Sequence, residues 1–433
     1  MATEKQPIES PSPLAPVPLA KPRLPTAPPH FSDEAVLLSD VPAPGRSKVK
    51  PQLVPAPEEG ELFLETVTDW KQLELLQAEW TDLAASAIEP NPFYEPWMLL
   101  PALRAFGAGR DLEVVLVFAP SRVKGRKQLC GLFPLVRQRG RVELWKHPYC
   151  YLSTPLLRRD LGRRTLAKFC DHLQESAGLV RFEDVPGDGA FRLLLVDELN
   201  QRGWTSCVSS TYTRAILKPA RSGEEFLERA LTGKRRKELR RQRSRLAELG
   251  TLTVEELQPG SDPGPWVREF LELEKAGWKG REGCAAAVRD GHQGFIEEAV
   301  RQPGAGERLM MLALRLDGKP IALKLNLLSG NGSFAFKIAF DESFSRFSPG
   351  VLLELENVRR LHELPRLDWM DSCAAPNRFM INHLWPDRRE LQTLFFATGR
   401  TLPSLVVALM PLLQLLRSHL PRRARKTTPR SEP

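Results

Sequence analysis

The chain has 433 residues, 42% of them hydrophobic and 27% charged; that length holds two or three domains with cores of their own, and the composition excludes a chain disordered throughout. Lys and Arg outnumber Asp and Glu by 62 to 53, a formal charge of +9 that favours anionic partners without choosing among phosphates, acidic glycans, nucleic acid and membrane surfaces. Six cysteines stand singly, with no CxxC pair and no Cys/His cluster of zinc-ligand spacing, so no metal is expected and free thiols in a reducing compartment are the simplest reading.

Residues 1 to 60 hold 14 of the 38 prolines, and so proline-rich a stretch buries too little apolar surface to offset the entropy of ordering it. A disordered tail is expected there. Proline interrupts every apolar run in it, which leaves no signal-peptide core, and the expected location is the cytoplasm.

From Glu61 the pattern changes. ELFLETVT reads as a strand and DWKQLELLQAEWTDLAASA as a helix with Trp70, Leu73, Leu76, Trp80 and Leu83 on one face. LEVVLVFAP, QLCGLFPLVRQ and YCYLSTPLL read as strands, and helices are expected over 161–176 and 188–202. A second round starts near Ser222, with helices over 224–250 and 265–277. It continues into a meander of LMMLALRL, IALKLNLLS and SFAFKIAFD joined by the Gly-containing turns DGKP and GNG. A helix over 349–363, the strand LDWMD, a short helix near 377–384 and the strand ELQTLFFAT complete it. Strands alternating with helices in two rounds predict an α/β protein with domains over 61–220 and 221–400. Residues 401–433 form an apolar helix and a basic tail: TLPSLVVALMPLLQLL has sixteen uncharged residues, short of the roughly 20 that cross a bilayer. That segment suits either docking on the protein or peripheral contact with an anionic membrane through 401–426.

Several residues have chemistry of their own. In FSRFSPGVLLELE a turn opens a helix directly after a strand, with Ser348 at the N-cap, Pro349 at the first helical position, and Gly350 permitting close approach. Free N–H groups at such a start suit a pyrophosphate, and Arg346 can add a bidentate contact. Asp371 ends a predicted strand, where α/β folds open their sites, and His383 follows on a short helix; both are candidate bases. GWKGREG offers Trp278 to a sugar face and Lys279 to an anion. The run GKRRKELRRQRSRLAELG has eight basic residues from Lys234 to Arg245 with Leu239, Leu246 and Leu249 on one face. It reads first as a solvated basic face and second as a binding surface for a phosphate-rich ligand or an anionic membrane; no specific nucleic acid is expected, since no recognition motif accompanies it.

The segments LEKAGWKGREG, TGKRRKELRRQRSRLAELG, DGKPIALKLNL with FAFKIAFDESFSRFSPGVLLELE, and LDWMDSCAAPNRFMINHLW together resemble GNAT-like acyltransferases. The resemblance is to the CelD type found with cellulose and exopolysaccharide synthesis, more distantly to the FemAB transferases. It implies an α/β fold of tandem GNAT-like domains, each a mixed, largely antiparallel central sheet flanked by helices. It also implies transfer of an acyl group, acetyl above all, from acyl-CoA (acetyl-CoA) to an amine or hydroxyl acceptor such as a saccharide. The second domain would be catalytic, with Lys337, Arg346, Ser348 and Gly350 at the donor, Trp278 and Lys279 at the acceptor, and Asp371 or His383 as base. Pro349 stands where the usual phosphate loop has its first Gly, a departure shared with FemAB-like proteins. The alternatives are therefore a Fem-like transferase using aminoacyl-tRNA and an inactive scaffold docked at a membrane.

Overall fold

The computed structural model describes residues 60–120, 127–302, 304–376 and 379–419. The proline-rich tail expected over 1–60 lies outside them except for Gly60, as does the basic tail beyond His419. The strands are β1 (Phe63–Val67), β2 (Leu112–Pro120), β3 (Lys127–Gln138), β4 (Arg141–Leu144), β5 (Leu156–Leu157), β6 (Leu179–Pro186) and β7 (Ser206–Leu217) in the first half. The second half has β8 (Leu252–Glu256), β9 (Leu309–Leu316), β10 (Lys319–Ser329), β11 (Gly332–Phe340), β12 (Trp369–Asp371) and β13 (Asp387–Ala397).

All thirteen join one sheet, in the order β1-β2-β3-β4-β6-β13-β7-β12-β11-β10-β9-β8, with β5 beside β3. This order is a palindrome. β1 to β4 of the first half mirror β8 to β11 of the second, β6 mirrors β12, and β13 mirrors β7. Each half thus lends its last strand to the other: β13 lies antiparallel between β6 and β7, and β7 antiparallel between β13 and β12. Pairing is antiparallel except for β4 with β6 and β11 with β12, the mixed, largely antiparallel sheet expected of tandem GNAT-like domains.

Strand alternation divides the core between the two faces. Val115 and Val117 of β2 enter one cluster while Val114, Leu116 and Phe118 enter another; in β9, Leu312 and Leu314 face away from Met311 and Ala313. The cluster holding Val114 and Met311 is shared by both halves. In it the Pro96–Phe106 helix of the first half packs on the His292–Arg301 helix of the second. On the opposite face lie two separate cores, each completed by the exchanged strand: Leu394 and Phe396 of β13 in the first, Ala215 and Leu217 of β7 in the second.

Three expectations change. The helix expected after β1 is interrupted, as Trp70–Glu74 and Gln77–Ala85, with Leu75 in solvent and Leu73 and Trp80 buried. The long basic helix is likewise two, Gly223–Ala230 and Gly233–Ala247, each capped by a hydroxyl, of Ser222 and Thr232. YCYLSTPLL is a strand only at Leu156–Leu157. The Asn91 amide takes the carbonyls of Leu152 (3.1 Å) and Thr154 (2.8 Å), so this backbone is satisfied without a ladder.

Candidate active site

The parallel partners β11 and β12 stay together only from Gly332↔Trp369 to Phe334↔Asp371. β12 ends there, whereas β11 runs on to Phe340. Ala335 to Phe340 therefore lose their neighbour on that side, and the backbone of β11 turns an unpaired edge to the opening. A 3₁₀ turn, Glu342–Phe347, then leads into the Pro349–His362 helix, so the opening and the helix start are consecutive features of the chain.

Charged groups gather at this parting. Lys337 of β11 donates to Glu274 Oε1 at 2.8 Å, and Lys279 donates to the same oxygen at 3.0 Å and to the Ile338 carbonyl at 3.2 Å. The second Glu274 oxygen accepts the Ala286 N–H at 2.9 Å. Burial alone would raise the Glu274 carboxyl, but the two ammonium groups hold it below its ordinary value. Burial also pushes Lys337 down, a tendency Glu274 opposes and Lys279 reinforces. One carboxylate serving two cations leaves a net positive charge at the parting.

The first half of the chain reaches the same place. Tyr149, in the loop between β4 and β5, lies with its ring 5.2 Å from Lys337 Nζ and its hydroxyl 2.8 Å from His292 Nδ1. Burial, with help from Arg289 and Lys337, pushes His292 down to about 4, so at neutral pH the imidazole is uncharged and Nδ1 can accept the tyrosine proton. The neighbouring Tyr151 stacks edge-on against Phe93 and Phe336.

Asp371 closes the far side. It is fully buried, and Arg214 of β7 meets it at 2.7 and 2.9 Å, Arg389 of β13 at 3.0 Å and the Cys373 N–H at 2.9 Å. Arg214 also donates to the Tyr151 carbonyl at 2.8 Å. Burial would raise the Asp371 carboxyl; the two guanidinium groups outweigh it and hold the pKa low. A carboxylate so paired suits holding strands of both halves together. His383 is exposed on the Phe379–Leu384 helix, which packs on Gly223–Ala230 and β7.

The other predicted residues divide. Lys279 and Lys337, assigned to acceptor and donor, meet on Glu274. Trp278 is 37% exposed and its backbone N–H donates to Glu342, which also pairs with Arg281 at 2.6 Å, fastening the GWKGREG segment to the 3₁₀ turn. Gly280 is obligatory in that segment, because a Cβ there would sit 1.8 Å from the Lys275 carbonyl oxygen. Ser348 is the N-cap residue with Pro349 at the first helical position, but its backbone is left-handed (φ 52°, ψ 51°) and its hydroxyl caps nothing. Gly350 is buried, and an added Cβ would lie 3.3 Å from the Phe340 ring. Arg346 is exposed and lies over the Phe347 ring at 4.6 Å.

Glu274, Arg214, Arg389, Tyr149 and His292 escaped the sequence reading. Glu274 left a trace: it shares the buried face of its helix with Val267, Phe270 and Leu271, and a carboxylate in core phase signals a buried cation.

Residues 233–379 match the family model of an acetyltransferase (GNAT) domain. The matched stretch includes Glu274, Lys279, Lys337, the Pro349 helix start and Asp371. Among solved structures, FemX is similar at 13% identity and a TM-score of 0.51, over 80% of this chain and 100% of its own. The C-terminal domain of an Agrobacterium fabrum protein provisionally assigned as a lysylphosphatidylglycerol synthetase is similar at 14% identity (TM-score 0.47, 79% of this chain and 96% of its own). A tandem GNAT protein from the clavulanic acid biosynthesis pathway is similar at 16% (TM-score 0.37, 79% and 100%). At 13% identity the likeness to FemX concerns the fold alone. None of the curated proteins matches the chain.

The buried histidines make stability depend on acid. His292 sits at about 4 and His147 at about 3 in the folded chain, against 6.5 when unfolded. Groups whose folded pKa is depressed contribute stability above the unfolded value and lose it as pH falls through the folded one. The unfolding free energy should therefore hold near neutrality and decline from pH 6.5 toward 4. Denaturant titrations across that window should show a shallower decline in His292→Gln, with His147 and His172, both pushed down by burial, keeping part of it.

Proposed function

We propose that this protein is a cytoplasmic acyltransferase that moves an acyl group, acetyl in the first instance, from acyl-CoA to an amine or hydroxyl acceptor. The observation that carries the reading is the parting of β11 from β12 beside the Pro349 helix start, inside the stretch matched by the acetyltransferase domain. In this reading 61–220 and 221–400 are two GNAT-like domains, and the first lends Tyr149 and Tyr151 to the site of the second. The acceptor attacks the thioester carbonyl directly, the C–S bond breaks, and coenzyme A leaves as the thiol, taking up a proton as the acceptor loses one. Lys337 and Lys279, oriented by Glu274, face the oxyanion that develops there. Arg346 and the Gly350 N–H hold the pyrophosphate, since Pro349 has no N–H and those of Val351 and Leu352 bond the Ser348 carbonyl. Trp278 offers an exposed ring to a saccharide acceptor of the exopolysaccharide or envelope-precursor class.

A second reading is favoured by the basic helix Gly233–Ala247. It packs against the 3₁₀ turn that carries Arg346, and Arg243 pairs with Glu356 of the Pro349–His362 helix. That cationic flank suits a longer polyanion, as an aminoacyl-tRNA donor would be.

Calorimetric titration of acetyl-CoA and longer acyl-CoAs separates the two. Binding to the wild type is expected, weakened by about 1 to 3 kcal/mol in Arg346→Ala through loss of a charge-assisted hydrogen bond. Arg346 is the clean probe, since a side chain at Gly350 would press on Phe340 and disturb the fold. Undiminished binding by Arg346→Ala would move the donor site elsewhere. No binding by the wild type, with retention of charged tRNA, would establish the second reading.

A further inference from the structure

The C-terminal helix Thr401–His419 leaves most of its apolar surface uncovered. Pro403, Val407, Met410 and Gln414, spaced as one side of a helix, turn toward the protein. Val407 is fully buried, Met410 joins the small core with Cys207 and Ala397, and Gln414 donates to the Ser209 carbonyl at 2.8 Å. The opposite side presents Leu402, Leu405, Leu409, Leu412, Leu413 and Leu416, each between 42% and 72% exposed. They recur every three or four residues, so they form one continuous stripe along a 19-residue helix. Nothing else among the described residues exposes so many large aliphatic side chains together, and a patch of this kind marks an interaction surface.

Charge decides what covers it. From Leu391 to Ser431 the sequence has no Asp or Glu, while Arg400 precedes the helix and Arg417, Arg422, Arg423, Arg425 and Lys426 follow its apolar stretch. A second copy seated side by side on the stripe would bring two such cationic segments together. An anionic lipid surface meets both features at once, the leucines entering the acyl boundary and the cations lying among the headgroups. The stripe contains no polar residue to fix the register of a protein partner, and a fluid surface requires none. No described helix is long and apolar enough to cross a membrane.

We infer that the outer face of the Thr401–His419 helix seats this protein on an anionic membrane surface, lying flat in the interface while Val407 and Met410 hold it to β7 and β13. The inference goes beyond acyl transfer and is tested without turnover, so its outcome is independent of the donor.

The test is cosedimentation with vesicles of phosphatidylcholine and phosphatidylglycerol, against phosphatidylcholine alone. The full-length protein is expected to bind the mixed vesicles and to be released by salt. The triple variant Leu405→Glu, Leu409→Glu, Leu412→Glu should bind about tenfold less or worse. All three side chains face solvent, so the variant should keep the wild-type melting temperature. Removing residues 420–433 should abolish the preference for phosphatidylglycerol. Equal binding by wild type and the triple variant, or no binding by the wild type, overturns the inference. So does a wild-type dimer that ignores vesicles and dissociates in Leu409→Glu, which would make a second copy the occupant.

Discussion

Asp371→Ala is expected to lower the unfolding free energy by about 3 to 5 kcal/mol, the range for removing one partner of a buried ion pair. The substitution leaves the Arg214 guanidinium, 2% exposed, without its carboxylate, and frees Arg389 beside it. Arginine stays protonated at any accessible pH, so the loss cannot be relieved by deprotonation. Arg214 and Arg389 belong to β7 and β13, the two exchanged strands, so the damage falls where the halves interlock. Equilibrium denaturation of wild type and variant checks the magnitude. Removing the guanidinium as well, in Asp371→Ala with Arg214→Met, should recover part of the loss, since an apolar replacement of the pair avoids the uncompensated charge. A change below about 1 kcal/mol in the single variant would mean that this pair is not the clasp between the halves.

Glu274→Gln should be the next most damaging change, with a distinct pH signature. It leaves Lys337 and Lys279 facing each other with no carboxylate, and Lys337 is already pushed down by burial. A loss of about 2 to 4 kcal/mol is expected near neutrality, toward the lower end because Lys279 is partly solvated. Without Glu274 the folded pKa of Lys337 falls further below its unfolded value. Its contribution to stability is then present at high pH and lost as pH falls through the folded value. The variant should therefore regain stability on alkaline titration, which the Asp371 variant cannot do. Lys337→Met in the Glu274→Gln background should restore stability without any change of pH. A Glu274→Gln protein equally unstable at neutral and alkaline pH would contradict the assignment of Lys337 as the stranded cation.

Much of this fold was legible in the chain. The meander β9-β10-β11 is predictable because its strands are apolar runs separated by Asp317-Gly318 and Gly330-Asn331-Gly332, and the turn glycines adopt the positive φ those turns require (Gly318 78°, Gly330 52°). The Pro349 helix start follows from proline at the first helical position. By contrast β7, a twelve-residue strand, is missed because SCVSSTYTRAIL is largely polar along its first two thirds. It is a strand because β13 lies against it from Ser206 to Ile216.

The sequence by itself determined the α/β class, the two rounds of elements and the apolar segment after Arg400, since each follows from residues close together in the chain; that the leucines of that segment stay uncovered was decided by the fold. Only the tertiary structure decided that β13 enters between β6 and β7, that Asp371 is enclosed by arginines 157 and 18 residues away, and that Tyr149 meets His292 across 143 residues. Periodicity and turn chemistry act over a few residues and specify each element. Strand partners and buried charge pairs are chosen by the folded chain as a whole, because the stabilisation from burying and pairing such groups exists only once distant segments have been brought together.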